Sequence, residues 1–327
     1  MSNNWILGSG IILLFLLALV SIAAGAVPIA PIDIISGLTD PNSRSYFIVH
    51  EVRLPRTLVA IAAGSGLAVA GAILQTILRN HLASPDVIGI TQGASFAAVS
   101  VIFLFPAATA SILPAAAFGG ALLSLAILIL ISRRLTLAPA TLALVGVAVG
   151  SVFQAGVQYY IVTYPTNVNM ALLWMSGSLW GRGWEQLRPL APLLLLMLTI
   201  AIGNAKKLNI LEVGDAISIS LGLLVRRERL WLLLLSVCLA GASVSAVGAI
   251  GFIGLLAPHI ARTLVGTQNQ WRLPMAAVIG AILIVLGDIV GRILFIPREV
   301  PAGIVTSVIG APYFIYLLQR ARRIGRH

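Results

Sequence analysis

Few residues of this chain have the types and spacing that catalysis or metal binding requires. The one cysteine, Cys238, cannot form a disulfide within the chain. The four histidines, His50, His81, His259 and His327, are dispersed and lack the paired Cys/His spacing typical of a metal site. We therefore expect no metal site and no cofactor bound by this chain.

The motifs of common enzymes are also missing from the sequence. There is no Gly-x-x-x-x-Gly-Lys-Ser/Thr, so the chain lacks the loop with which it would bind ATP phosphates itself. Neither the His-Glu-x-x-His motif nor the Gly-x-Ser-x-Gly nucleophile elbow occurs. The sequence therefore predicts that the chain alone is not an enzyme.

Asp288 is the one ionisable candidate within a long apolar run. It lies in an apolar run, four residues before Arg292, and ion-coupled carriers usually place acids or bases within their membrane helices. The simpler interpretation is an i,i+4 ion pair near the outer end of a helix. A single acid gives an ion-coupled secondary carrier or a channel little support, although this class of protein stays open as an alternative. A transporter whose energy source lies in another chain is favoured.

The composition explains why polar candidates are so few. Hydrophobic residues make up 59% of the 327 residues, charged residues only 9%, and the mean hydropathy is +1.03. A soluble domain carries about 25% charged residues, so an ordinary soluble protein is excluded. A membrane-spanning helix needs roughly 20 mostly apolar residues, so the chain has room for about ten spans with short connections.

Ten apolar runs predict an all-α membrane protein whose spans form a compact bundle. They are 5–26, 56–78, 87–105, 112–131, 139–162, 189–203, 230–248, 252–265, 273–294 and 303–318. The eighth run is short and contains Pro258, which predicts a kinked or partly re-entrant segment. Small residues at helical spacing, such as Gly64 with Ala68 and Gly146 with Gly150, predict close helix packing.

The basic residues indicate how the bundle is oriented. A net charge of +11 suggests nucleic acid in a soluble protein, but in so apolar a chain it indicates a positive-inside bias. Arg320, Arg322, Arg323 and Arg326 place the C-terminus in the cytoplasm, and an even number of spans places the N-terminus there too. Of the 21 Lys and Arg residues, twice as many then lie on the cytoplasmic side as outside.

Three sequence blocks resemble the membrane permeases of bacterial ABC importers for ferric siderophores, haem and cobalamin, the type II importer permeases. They lie in order along almost the whole chain, at Arg53–Leu58 with Gly71–Thr76 and Asn80–Gly89, at Gly248–Arg262, and at Glu299–Tyr313. The resemblance implies ten helices per subunit, with residues 1–327 forming one transmembrane permease domain in the cytoplasmic membrane. Segment Asn169–Arg182 looks closest to the ferric citrate and related iron-chelate members.

The resemblance implies a docking site for an extracytoplasmic substrate-binding protein. In such importers carboxylates on the two lobes of that protein meet permease arginines, which by motif position are Arg53, Arg56 and Arg292. Arg53 and Arg56 flank Pro55, which suits a first helical turn, so their guanidinium groups are expected to be free at the outer mouth to form bidentate pairs. Without the family, arginines that only extend to the membrane interface are the simpler interpretation.

The resemblance also implies a contact with separate ATP-binding cassette subunits, which would hold ATP and Mg²⁺. The longest cytoplasmic loop, about 204–229, matches the position of the family's coupling helices. There Gly214 precedes Asp215 and Ala216, which would open a helical turn with the acid favoured by the helix dipole. Leu221 and Gly222 would close that turn.

A translocation path is implied along the axis of a dimer with a second permease subunit, identical or homologous. The family places an inner gate at the motif around Asn80 and Leu82, although His81 stands where many members have proline. The lining assigned to the fifth helix comprises Gly146, Val147, Gly150, Ser151 and Gln154. Such small and weakly polar groups suit a carrier that must release its cargo.

The sequence as a whole therefore predicts the permease subunit of an ATP-driven importer. The predicted cargo is an iron chelate of the ferric siderophore or ferric citrate type, delivered by a periplasmic or surface binding protein. Cobalamin or haem stays open as an alternative cargo, because no residue decides among them. No nucleic-acid partner is expected.

Overall fold

Helices form the regular structure of this chain, for which the computed structural model describes residues 2–25, 27, 29–107, 112–132, 138–165 and 168–324. No β-strand occurs in these ranges. Arg326 and His327 lie outside them. The helices are α1 (Asn3–Ala23), α2 (Pro31–Thr39), a π-helical segment (Phe47–Arg53) continuous with α3 (Leu54–Leu78), α4 (Ile90–Leu104), α5 (Ile112–Ser132), α6 (Pro139–Thr163), α7 (Val168–Met175), α8 (Trp184–Gly203), α9 (Ala205–Val213), α10 (Asp215–Ser220), α11 (Val225–Val247), α12 (Ile253–Val265), α13 (Asn269–Ile293) and α14 (Ala302–Ile324).

Seven helices in the described part of the chain are long and apolar enough to cross a membrane. They are α1, α3 with its π-helical start, α5, α6, α8, α11 and α13. Three shorter apolar helices accompany them, namely α4, α12 and the first part of α14, Ala302–Ile315. Each predicted apolar run therefore contains a helix, which confirms the all-helical, multi-pass membrane fold. The count of ten crossings stays a prediction, because three of the helices are short.

The sequence did not predict the short helices between the spans or the true start of α8. The helices α2, α7 and α9 are too short to span and leave no long apolar run to detect. We expected α8 from residue 189, because the apolar run begins there. It begins at Trp184 instead, since the Gln186 side chain accepts a hydrogen bond of 2.9 Å from the Gly183 N–H and caps the helix.

The helix α3 lies at the centre of the bundle. Its most apolar window is 83% buried, whereas that of α1 is 17% buried and largely faces outward. Glycines let the neighbours of α3 approach closely: a Cβ added at Gly71 would overlap the carbonyl of Gly254 in α12, and one added at Gly280 in α13 would overlap Gly64 and Ala68. The predicted packing role of Gly64 and Ala68 is therefore confirmed.

The helix α12 begins inside the bundle rather than at one of its ends. It has 13 residues, with Pro258 within it, and the preceding backbone is left-handed at Gly248 (φ 77°) and Phe252 (φ 67°). Gly254 packs beside Gly71, which lies nearer to the last residue of α3 than to its first. The eighth predicted run is thus a short helix that starts inside the bundle beside α3, whereas its kinked or partly re-entrant path stays a prediction.

Residues assigned to the same side by the charge pattern meet at the same end of the bundle. At one end Asn3 donates a hydrogen bond of 3.2 Å to the carbonyl of Val265, and Arg79 donates one of 3.1 Å to Leu211. We call this the Arg79 end. The other end of α3 carries Arg56, and we call it the Arg56 end. The structure fixes which loops share an end, whereas the end that faces the cytoplasm stays a prediction.

Labelling from one side of the membrane tests this assignment. In a Cys238→Ser background, we expect a cysteine at the exposed Lys206 in α9 to react only from the cytoplasmic side. A cysteine at the exposed Asn42, in the loop before the π-helical segment, should react only from outside. The measurement is labelling by a membrane-impermeant maleimide in intact cells and in inverted vesicles. Reaction of both sites from the same side would refute the arrangement.

Candidate functional site

A buried ionic network lies at the Arg56 end. Arg56 Nη2 is 2.7 Å from Asp288 Oδ1 and 2.8 Å from Glu299 Oε2. Arg292 Nε is 3.1 Å from Asp288 Oδ2, one turn along α13. The predicted i,i+4 pair is therefore present, but it is buried rather than interfacial, because Asp288 is only 2% exposed. Two arginines engage this carboxylate, so the charge of Asp288 is compensated within the bundle.

The same end of the bundle anchors the last turn of α1. Arg53 Nη1 donates hydrogen bonds of 2.8 Å to the carbonyls of Ile22 and Ala23. Arg292 Nη1 donates to the carbonyl of Ser21 at 3.0 Å, and its Nη2 donates to the Ser21 hydroxyl at 2.7 Å. The last carbonyls of a helix have no partner within the helix and carry partial negative charge, which arginine satisfies. These two residues thus fasten α1 to α3 and α13.

The structure corrects the expected accessibility of the docking arginines. Arg53, Arg56 and Arg292 are only 6%, 7% and 5% exposed. The expectation that the guanidinium groups of Arg53 and Arg56 are free was wrong, because groups of the same chain occupy them, as they also occupy that of Arg292. Sequence reasoning missed the principal partner, since Asp288 is 232 residues from Arg56. The docking role of the three arginines stays a prediction.

The segment assigned to ATPase coupling has the local structure that the sequence predicted. The helix α9 ends at Val213, and the next residue, Gly214, has a φ of 132° that interrupts the helix. Asp215 and Ala216 then open α10, and Leu221 ends it. Gly222, with φ 84°, turns the chain toward α11.

An apolar surface at the Arg79 end is left uncovered around α10. Its side chains Ile217, Ile219, Leu221 and Leu224 are 48%, 62%, 61% and 67% exposed. They lie outside the long apolar helices, on a loop with the exposed charges of Arg226 and Arg227. Exposed apolar side chains beside charged groups are typical of a protein interface.

Asp215 joins α10 to two other elements. Its Oδ1 accepts a hydrogen bond of 2.8 Å from Arg229 Nη2 in α11 and another from Arg79 Nη2 at the end of α3. Partial desolvation opposes ionisation, but the hydrogen bonds and charges of Arg229 and Arg79 outweigh it and hold the pKa of the Asp215 carboxyl below its ordinary value. The carboxylate is therefore ionised at neutral pH.

The two glycines predicted to line the path have different surroundings. Gly146 is buried, and a Cβ added there would lie 2.7 Å from the Cα of Ile88. Gly146 is not among the residues that line the open cleft, and its role in lining the path stays a prediction. It is a contact position, where α6 meets the segment that leads into α4. Gly150 packs beside Gly89 but also borders an open cleft.

The cleft beside α6 contains the other predicted lining residues. Val147, Ser151 and Gln154 are exposed and lie along it. The cleft is also lined by Asp86, Gln92 and Gln158, which were not predicted from the sequence. Gln158 follows Gln154 by one helical turn, so helical periodicity could have identified it. Asp86 and Gln92 come from the segment before α4 and from α4 itself, and their positions depend on tertiary packing.

The predicted gate residues follow the last residue of α3. Arg79 ends that helix in the left-handed conformation, with φ 48°. Asn80 Oδ1 accepts a hydrogen bond of 2.9 Å from the Leu82 N–H, and the Leu82 side chain is exposed. Arg262 Nη1 lies 2.6 Å from His81 Nε2. Burial and the charge of Arg262 lower the pKa of His81 below its ordinary value, so the ring is neutral at pH 7 and accepts this hydrogen bond.

No group of three or more His, Cys, Asp and Glu side chains in the described ranges is placed to share a metal ion. What the fold offers is a set of helix-bundle surfaces and a cleft lined by hydroxyl, amide and apolar side chains together with Asp86. A solved chain described as a metal-chelate type ABC transporter in an inward-facing conformation has the same fold, with a TM-score of 0.88 and 30% identity. The match covers 97% of this chain and 99% of that chain. The fold is therefore that of a membrane permease.

The sequence comparisons place the chain within one family of such permeases. The model of the FecCD transport family matches residues 12–320, and this chain belongs to that family. It is 47% identical to the Fe(3+)-citrate import system permease protein YfmE of Bacillus subtilis over 94% of this chain and 92% of the relative. It is 40% identical to the Fe(3+) dicitrate transport system permease protein FecD of Escherichia coli over 93% of this chain and 95% of that protein.

Removing the central carboxylate tests the ionic network. We expect Asp288→Ala to lower the free energy of unfolding by about 3 to 5 kcal/mol, because it leaves Arg56 and Arg292 buried with fewer partners. The matched control Glu299→Ala should cost less than about 1 kcal/mol, because partly exposed ion pairs contribute little. The measurement is the reaction of Cys238 with a thiol-reactive fluorophore during heating of the purified permease. Equal losses in both variants would show that Asp288 is not the centre of the network.

Proposed function

We propose that this chain is the membrane-spanning subunit of an ATP-driven importer in the bacterial cytoplasmic membrane, carrying an iron chelate of the ferric citrate type. The observation that carries this proposal is the 47% identity with a ferric citrate permease over 94% of the chain. The segment Asn169–Arg182, which suggested the same cargo from sequence, supports it. Hydroxamate chelates are a second candidate, since the chain is 36% identical to the Iron(3+)-hydroxamate import system permease protein FhuG of Bacillus subtilis.

We infer that the bundle crosses the membrane ten times, with both termini in the cytoplasm. In this arrangement α4, α12 and α14 make the three crossings that the seven longer helices do not. The segments before α4 and α12 are packed inside the bundle, so a shorter helix suffices there. The Arg79 end, where Asn3 and the loop 204–229 meet, is then the cytoplasmic end.

In this proposal, separate ATP-binding cassette subunits hold ATP and Mg²⁺ and hydrolyse the ATP. This chain itself binds no cofactor. The exposed side chains of Ile217, Ile219, Leu221 and Leu224 are the surface that such a subunit would cover. An uncovered apolar surface of this kind in water is unfavourable, so burial against a partner is the natural outcome.

The cargo path lies in this proposal along the cleft beside α6, which a second permease subunit would close. The cleft combines apolar Val147 with the hydroxyl of Ser151 and the amides of Gln154 and Gln158. Apart from Asp86, the polar groups that line the cleft are neutral donors and acceptors, which bind a polar chelate more weakly than fixed charges would. Cargo can then leave the path as readily as it enters.

A substrate-binding protein would dock at the Arg56 end. Because Arg56 is already paired, an incoming carboxylate would have to displace Glu299, whose side chain is 32% exposed, rather than meet a free guanidinium. Exchange of one carboxylate for another keeps Arg56 compensated throughout. Binding through this exchange would weaken as salt concentration rises.

Uptake by the reconstituted complex tests the proposed cargo. We expect proteoliposomes that contain this chain, its ATPase and its binding protein to accumulate radiolabelled ferric citrate only with ATP inside and binding protein outside. Ferric hydroxamate, haem and cobalamin serve as competing cargoes. Accumulation driven by an ion gradient without ATP would refute an ATP-driven importer, and preference for cobalamin or haem would refute the iron-chelate assignment.

A charge placed in the apolar surface of α10 tests the ATPase contact. We expect Ile219→Arg to abolish copurification of the ATPase, because it would bury an unpaired charge in the interface. The control Thr267→Arg places the same charge on an exposed residue at the same end, outside this surface, and should retain the ATPase. Retention of the ATPase by both variants would show that α10 is not its binding site.

A further inference from the structure

A second cavity of the bundle is an apolar crevice between three helices. It lies between the first turns of α5 and α8 and the last turns of α11, and its volume is about 330 Å³. Ligand pockets have volumes of roughly 300 to 1,000 Å³, so the crevice is large enough to hold part of a small molecule. None of its lining residues also lines the cleft beside α6, so a subunit that closes that cleft would not need to fill the crevice.

The sequence explains why the three helices leave this space. Pro189 and Pro192 lie within α8, and a proline ring bends a helix because it clashes with the carbonyl four residues earlier. The crevice is also lined by Ala115 of α5 and by Ala242 and Ala246 of α11, whose side chains are single methyl groups. Small side chains opposite a helix interrupted by proline leave a gap that the chain itself does not fill.

The crevice is polar at its mouth and apolar along its length. Glu185 and Gln186 line it in the first turn of α8. Trp184, just before them, donates a hydrogen bond of 3.0 Å to the carbonyl of His50, so the mouth lies at the Arg56 end. From Glu185 to Leu193 the crevice follows α8 for about 12 Å, at roughly 1.5 Å per residue. It therefore has the same change of polarity with depth as the membrane around it.

The mouth offers hydrogen-bond acceptors to a cation. Glu185 is exposed, and its carboxylate has no partner in the part of the chain that the structure describes. Pro189 has no N–H, so the carbonyl of Glu185 receives no hydrogen bond from the residue four positions later. Pro192 leaves the carbonyl of Arg188 without that hydrogen bond in the same way. A carboxylate and two such carbonyls suit an ammonium group that has N–H donors of its own.

Arg188 adds a site for an anion beside this cation site. It follows Glu185 by three residues, so the two lie about one helical turn apart, and it is likewise exposed and unpaired within the described ranges. Arginine binds phosphate through two parallel N–H bonds. Phosphatidylethanolamine joins an ammonium with three N–H groups to a phosphate and to acyl chains. Phosphatidylcholine has the same charges but no N–H, and phosphatidylglycerol has no cation.

We propose that the crevice between α5, α8 and α11 binds one phosphatidylethanolamine molecule. One acyl chain lies between the helices, the ammonium binds at Glu185, and the phosphate binds at Arg188. In the orientation proposed above, this lipid belongs to the outer leaflet. The site goes beyond the proposed function, because it does not depend on the cargo, the ATPase or the binding protein.

Photocrosslinking of the full chain tests this site. The purified chain is placed in nanodiscs that contain a trace of phosphatidylethanolamine with a diazirine in one acyl chain, and peptide mass spectrometry locates the label after illumination. We expect the label at crevice residues such as Phe118 and Leu193. Unlabelled phosphatidylethanolamine as the bulk lipid should suppress it roughly tenfold more than bulk phosphatidylcholine or phosphatidylglycerol, because only its ammonium donates to the mouth. A label spread evenly over the outward-facing helices, or equal suppression by the three lipids, would refute the site.

Three variants separate headgroup recognition from occupancy of the crevice. Glu185→Gln keeps the size of the side chain but removes its charge, and suppression by phosphatidylethanolamine should fall to the level of phosphatidylcholine. Ala115→Trp fills the crevice from α5 and should remove the label. The control Leu123→Trp, at an exposed position two turns further along α5, should keep it. An unchanged lipid preference in Glu185→Gln would overturn the headgroup assignment. A label retained in Ala115→Trp, or lost equally in both tryptophan variants, would show that the crevice is not the lipid site.

Discussion

The structure depends on how charges buried in the helix bundle are compensated. The hydrocarbon layer supplies no water to buried charges, so each must find its partners within the protein. Arg56 in α3 and Arg292 in α13 meet at Asp288, and Glu299 before α14 completes the network. Arg53 and Arg292 also bind the last carbonyls of α1. The arginines of this end therefore hold α1, α3 and α13 together.

The local parts of this architecture follow from sequence. Apolar runs locate the long helices, because a span must be apolar along its whole length. The limits of α10 also follow, since glycines at 214 and 222 interrupt the helix and Asp215 favours its first turn. Small residues predicted close helix packing, and Gly64 with Ala68 does pack against Gly280.

The contacts that could not be predicted from the sequence join residues that are far apart in the chain. An arginine at a helix end is expected to be exposed, and only the fold brings Asp288 next to Arg56. The sequence predicts that Gly146 lines the translocation path, but the segment before α4 packs against this glycine through Ile88. Asp86 and Gln92 join the cleft beside α6 for the same reason. Periodicity describes one helix at a time, whereas each of these contacts joins separate elements.

The two ends of the bundle differ in how readily their ion pairs can exchange. At the Arg56 end, Asp288 is 2% exposed, and breaking a buried pair costs about 3 to 5 kcal/mol. At the Arg79 end, the Arg79 and Asp215 side chains are 31% and 42% exposed, and such pairs contribute at most about 1 kcal/mol. Arg229, by contrast, is only 6% exposed, so Asp215 loses less by leaving Arg79 than by leaving Arg229. The buried pairs of the Arg56 end therefore hold the helices together, while the Arg79–Asp215 pair near the predicted gate contributes little to that stability.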